Sequence, residues 1–120
     1  MTHAERIPRY LGHIQDAIGR AILYSAPFQD VGAFSSDSLT LDAVIRTIEI
    51  MGEAATKIHK ADPEFTKRHP EIPWLEIRTM RNKLIHDYFT VDPVVVWMTV
   101  RNDLPKLADH IDRLLADYKE

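Results

Sequence analysis

"PEIPWLEIRTMRNKLIHDYF", residues 70–89, is the stretch whose reading decides the fold. Pro70 and Pro73 end whatever precedes them, and Pro73 suits the opening of a helix because its missing N–H and fixed φ are tolerated in a first turn. From there Trp74, Ile77, Met80, Leu84 and Tyr88 recur at spacings of three and four, the signature of one helical face. Arg81 lies in the middle of that stripe, a charge where a core residue is expected.

Working outward, the same period recurs on both sides. Upstream, Leu41, Val44, Ile45, Ile48, Met51, Ala55 and Ile58 define a long helix, with Ser36 or Ser38 as its candidate N-cap. Gly52 lies near this stripe, where the absence of a side chain lets a neighbouring helix approach closely. Further upstream, Ile7, Tyr10, Leu11, Ile14, Ala17, Ile18, Ala21 and Ile22 mark an amphipathic helix over about Glu5 to Ser25, ended by Pro27 and Gly32. Between the second helix and the quoted stretch, Asp62 and Pro63 announce one short helical turn.

Downstream, Asp92 and Pro93 start a last helix carrying Trp97, Val100, Leu104, Leu107, Ile111, Leu114 and Tyr118. Pro105 interrupts it and predicts a kink, since an interior proline removes one hydrogen bond and crowds the preceding turn. No segment alternates as a strand does and no repeat is present. The expectation is an all-α, up-and-down bundle of four main helices plus a short extra one, with residues 1–120 as a single domain. Trp74, Trp97, Phe65 and Tyr118 are expected in its core.

The composition agrees: 45% apolar and 28% charged residues suit a chain that buries a modest core. There is no cysteine, which removes disulfides, thiolate metal sites and a cysteine nucleophile together. The opening "MTHAERIPRY" has no apolar run of signal type, and no segment approaches the roughly 20 apolar residues of a membrane span, so a cytoplasmic location is expected. Net charge is -3, yet residues 57 to 88 hold seven basic against five acidic side chains. A basic face on an acidic molecule and an ordinary mixed surface both fit these counts.

In "RNKLIHDY", residues 81–88, Tyr88 projects within roughly 20° of Arg81 but His86 points roughly 140° away from it at 100° per residue. One regular helix cannot converge all three. Either the helix unwinds near residues 85–87, or a second copy of the chain completes the site. A buried guanidinium also needs a partner, for which Glu49 and Glu53 are the candidates in a purely structural reading. The functional reading is a phosphodiester held by Arg81, with His86 moving a proton. RNA suits it because its own 2′-hydroxyl can attack the adjacent phosphorus.

Arg81, His86 and Tyr88 at this spacing resemble the signature of the HEPN superfamily. "AVIRTIEIMGEAA" at 43–55, the quoted stretch at 70–89 and "VVVWMTVRNDLPKL" at 94–107 resemble its HepT branch in the same order. The resemblance implies a homodimeric, metal-independent endoribonuclease, the toxin of a type II toxin-antitoxin pair. Its partner would be an MNT-type nucleotidyltransferase antitoxin. Arg81 and His86 would serve cleavage, Asn82 would support them, and Tyr88 would be the residue on which the antitoxin places AMP. A phenol is a usable nucleophile for phosphoryl chemistry, and the added phosphodiester would block the site with bulk and charge.

Other motifs are weak. His3, His13, His59, His69, His86 and His110 show no ligand-type pairing, so no metal is expected. Ser35, Ser36 and Ser38 read as turn and cap residues, and the lack of a glycine-rich phosphate loop predicts no cofactor bound by the chain itself. The alternative to the ribonuclease is a non-catalytic helical interaction module that binds a nucleotidyltransferase or nucleic acid without cutting it.

Overall fold

A computed structural model describes residues 3–118, without the side chains of residues 3–5 and of Tyr88. The elements are α1 (His3–Ser25), α2 (Val31–Ser36), α3 (Ser38–Ala61), α4 (Pro63–Arg68), α5 (Trp74–His86), a 3-10 turn (Tyr88–Thr90), α6 (Pro93–Met98), a π turn (Thr99–Asp103) and α7 (Leu104–Asp117). No strand occurs among the described residues, and the chain is an all-α bundle of the HEPN-like kind. None of the described helices is long and apolar enough to cross a membrane.

The apolar stripes bury as their spacing requires. Leu11, Ile14, Ala17, Ile18 and Ala21 of α1 face Val44, Ile48, Met51, Ala55 and Ile58 of α3, and Val100, Leu104, Leu107, Ile111 and Leu114 close the core from the C-terminal segment. In space the long helices run in the order α7, α1, α3, α5, and a cleft of about 430 Å³ lies between α5 and α7, lined by Ile77, Met80, Leu104, Leu107, Glu76 and His110. α5 therefore packs mainly on α3.

Three sequence expectations change. The cap of α3 is neither Ser36 nor Ser38 but Asp37 between them, whose carboxylate accepts from Thr40 N–H at 2.9 Å. Two short helices, not one, join the long ones: α2 is a six-residue helix capped by Asp30, and it buries Phe34 against Trp97 at 5.2 Å between rings. Tyr118 ends α7 and is exposed rather than core. What contact its ring keeps with the protein still raises the phenol pKa by desolvation, with Asp62 and Asp117 adding to this and Arg68 opposing it.

The interruption expected at Pro105 takes the form of the π turn. Leu104 N–H donates to Thr99 O, five residues back, so the turn just before the proline is widened. That widening accommodates a ring that would otherwise press on the carbonyl four residues earlier. Arg101 inside this turn reaches across to Ser25 O at 2.9 Å and Phe28 O at 2.5 Å, while its guanidinium stacks over Trp97 at 4.2 Å. It adds a second donor to Ser25 O, which also accepts from Phe28 N–H at 3.1 Å, and ties the loop after α1 to the C-terminal segment.

Candidate functional site

α5 is fixed at both ends by its neighbours. Pro73 provides no side-chain cap, but the Trp74 indole Nε1 donates to His69 O at 3.0 Å and its ring meets Phe65 edge-on, pinning the first turn to α4. At the other end Asp87 leaves helical geometry at φ -118°, ψ 37°, although its N–H still donates to Lys83 O at 2.8 Å. The Thr90 N–H and hydroxyl both donate to Asp87 O, at 2.9 and 3.0 Å, and this folds the 3-10 turn. Asp92 then caps α6 by accepting from Val94 N–H at 2.9 Å, with Pro93 in the first turn.

Arg81 is seated on Gly52. A Cβ at position 52 would overlap Arg81 Cβ and Cγ and come 3.1 Å from Ile77 O, so glycine is what lets α5 lie this close to α3. The arginine stem is the knob in that notch. Arg81 Nε is buried without a hydrogen-bond partner among the described residues, and Nη1 donates to Asn82 Oδ1 at 3.1 Å. The carboxylates expected to neutralise it are engaged elsewhere: Glu49 pairs with Arg46 and Glu53 with Lys57, each at 3.4 Å. An i,i+4 or i,i+3 neighbour on the same helix is a nearer partner for those carboxylates. A half-buried cation with an unmade hydrogen bond costs about 1–3 kcal/mol at the Nε group alone, a cost tolerated typically where function requires it.

His86 is the last residue of α5 and is exposed, with no hydrogen bond among the described residues. The helix thus breaks after His86, at Asp87, and not before it. Unwinding does not swing the imidazole back toward Arg81, and the two side chains leave a regular helix roughly 140° apart. Asn82 is exposed and its amide oxygen serves Arg81, not His86. Tyr88 opens the 3-10 turn, and its side chain lies outside the described residues. Arg81, Asn82 and His86 therefore share one helix, with Arg81 and His86 directed to different sides of it.

Charge on α5 is distinctive. Lys57, Lys67 and Arg68 in the neighbouring helices are ion-paired with Glu53, Glu64 and Asp62. α5 carries Arg78, Arg81 and Lys83 against Glu76 alone, and none of the three cations makes an ion pair among the described residues. Of the seven basic residues between 57 and 88, those without an ion pair among the described residues are Lys60 of α3 and these three of α5. Arg78 was not singled out by the sequence; its signal is the i,i+3 spacing to Arg81 on a half-buried flank. Lys83 is exposed on the other side of the helix, at the edge of a cavity of about 90 Å³ lined also by Met80, Leu84, Val91 and Val95. Among the described residues no group of three or more His, Asp or Glu is placed to hold a metal ion; the His3 side chain lies outside them.

This arrangement can be set beside known proteins. The family model described as HepT-like ribonuclease matches residues 14–114. A Thermococcus cleftensis protein named probable ribonuclease HepT is 48% identical over 81 residues, covering 68% of this chain and 71% of that one. A Caldanaerobacter subterraneus protein named as a candidate RNase is 37% identical over 86 residues, 72% of this chain and 74% of its own. A Methanocaldococcus jannaschii protein named in the same way is 36% identical over 91 residues, 76% of each chain. No solved structure matches.

Proposed function

Because the chain belongs to the HepT-like ribonuclease family, we propose that it is an endoribonuclease toxin acting through Arg81 and His86, with Asn82 in support. The observation that carries this reading is Arg81: its stem is sunk against Gly52, and among the described residues its Nε has no hydrogen-bond partner and no carboxylate pairs with it. A guanidinium held this way is fixed in place and keeps its charge for an incoming anion. Asn82 steadies one Nη group, which restricts the guanidinium plane.

In the proposed reaction the RNA 2′-hydroxyl loses its proton and attacks the neighbouring phosphorus. The bond to the 5′-oxygen breaks, that oxygen takes a proton, and a 2′,3′-cyclic phosphate remains. Arg81 offsets the charge on the crowded phosphorane, and His86 moves a proton at the attacking or the leaving oxygen. No metal enters this scheme, since the nucleophile is part of the substrate.

The divergence of Arg81 and His86 on α5 supports a homodimer whose site takes Arg81 from one copy and His86 from the other. α5 itself is under-covered: Leu75 and Ile85 are exposed along it, and Phe89 just beyond it is 98% exposed. Neutralisation is proposed to come from an MNT-type nucleotidyltransferase antitoxin that transfers AMP from ATP to the Tyr88 hydroxyl, releasing pyrophosphate. A phosphodiester anchored at the exit of α5 would compete with RNA for the cations of that helix.

The test is cleavage of single-stranded RNA in EDTA. Wild type is expected to yield 2′,3′-cyclic ends, and His86→Ala to lose about 10²- to 10⁴-fold in rate. Mixing Arg81→Ala and His86→Ala proteins should restore activity, because the mixed dimer carries one intact composite site; no recovery after subunit exchange would sink the shared site. RNA left intact by wild type would favour the non-catalytic interaction module instead. Co-expression with the nucleotidyltransferase should add about 329 Da per AMP at Tyr88, and an unmodified tyrosine beside an active transferase would reject that part.

A further inference from the structure

Arg78 stands one helical turn before Arg81, about 5–6 Å from it between Cβ atoms, and roughly 60° round the helix toward the exposed side. In projection it falls between Arg81 and His86, close to the direction that bisects them, on the same flank as Asn82 and Ile85. It is half-buried, yet no hydrogen bond or ion pair holds its guanidinium among the described residues. The only acidic residue of α5, Glu76, lines the cleft on the opposite flank with Met80 and His110. Nothing on α5 therefore neutralises Arg78.

We propose that Arg78 forms a second phosphate-binding position, gripping the RNA backbone one nucleotide away from the phosphodiester at Arg81. The proposal rests on the ribonuclease reading. A single strand that leaves the phosphate at Arg81 along α5, toward the flank of Asn82 and Ile85, passes over Arg78, and two guanidiniums a turn apart are within reach of successive phosphates. Lys83 does not share the task, since it leaves the helix roughly 140° round from Arg78. Arg78 is a positioning residue in this scheme. Its contact is the same in ground and transition states, so it acts on substrate affinity and not on the chemical step.

The experiment uses full-length protein and two short RNAs, one natural and one with neutral methylphosphonate linkages flanking the cleavable phosphate. Wild type should cut the neutral-flank RNA with a KM about tenfold higher. Arg78→Gln should raise KM for the natural RNA about tenfold, leave kcat within twofold, and lower the slope of log KM against log salt by about 0.7, the value of one single-strand contact. On the neutral-flank RNA the same variant should behave as wild type. Arg78→Lys should recover most of the affinity, and Lys83→Gln should leave the salt slope unchanged.

Equal losses on both RNAs, as expected if Arg78 serves folding or a protein interface, overturn the proposal, and so does an unaltered KM with an unaltered slope. A wild-type enzyme indifferent to the flanking linkage overturns it without any variant, so a misfolded Arg78→Gln cannot shield it. Wild type that cuts neither RNA is a failure of the ribonuclease reading itself.

Discussion

α3 and α5 pack on each other but use their surfaces differently. α3 buries nine of its 24 residues, including Val44, Ile48, Met51 and Ile58, between two helical neighbours. α5 buries only Trp74 and Leu84 among 13, and packs chiefly on one neighbour. The charges divide in the same way: Glu49 and Glu53 of α3 are paired with Arg46 and Lys57 of their own helix, whereas Arg78, Arg81 and Lys83 of α5 have no ion pair among the described residues. One helix is used for cohesion. The other is held at its two ends and at one notch, leaving most of its length to meet something outside the chain.

Substitutions can break that contrast, beginning with the largest expected effect. Ile58 is fully buried, so Ile58→Ala should cost about 2–5 kcal/mol in chemical denaturation while the remaining folded protein cleaves RNA at an unaltered rate per site. Loss of activity beyond the unfolded fraction would mean that α3 is part of the catalytic apparatus. Gly52→Ala sits on the boundary. Its methyl would collide with the Arg81 stem, and overpacking of this kind costs about 1–3 kcal/mol. Because the strain falls on Arg81, the folded fraction should also lose at least tenfold in kcat. An active, merely destabilised Gly52→Ala protein would show that Arg81 need not be seated as described.

The smallest effect is expected on the open flank. Leu75 is 66% exposed, so Leu75→Ser should alter monomer stability by under about 0.5 kcal/mol. Measured as dimer dissociation by sedimentation, the same change should weaken association if the flank is covered by a second copy. Unchanged dissociation would remove Leu75 from that interface.

Much of this division can be read in the sequence. Periodicity located α1, α3 and α5 because stripes such as Ile14, Ile18 and Ala21 leave only one face to bury, and "IMGEAA" marked the notch because a glycine on a packed stripe has few other uses. Arg81 declared itself by interrupting a stripe. The cap of α3 is not legible because Ser36, Asp37 and Ser38 are all good N-caps, and only the chain path selects Asp37. α2 escaped because six residues give too few turns for a period to show. Glu49 and Glu53 pair within α3 and not with Arg81 because Arg46 and Lys57 lie within one turn of them. Pro105 marks an interruption but not its form, since the apolar spacing from Trp97 to Leu107 continues unbroken through the π turn.

The contact between α1 and α7 has a topological consequence. Ser25 lies beside Arg101, and Gln15 Nε2 donates to Asp112 Oδ1 at 2.7 Å, so the pairing runs antiparallel and the two helices lead back toward the chain ends together. The first and last described turns accordingly share one pole of the molecule. Over the described residues the chain path is close to a ring with a single gap. A short tether across that gap would define a circular permutant, and the exposed segment around Pro70 and Glu71 is where such a ring could be reopened without cutting a long helix.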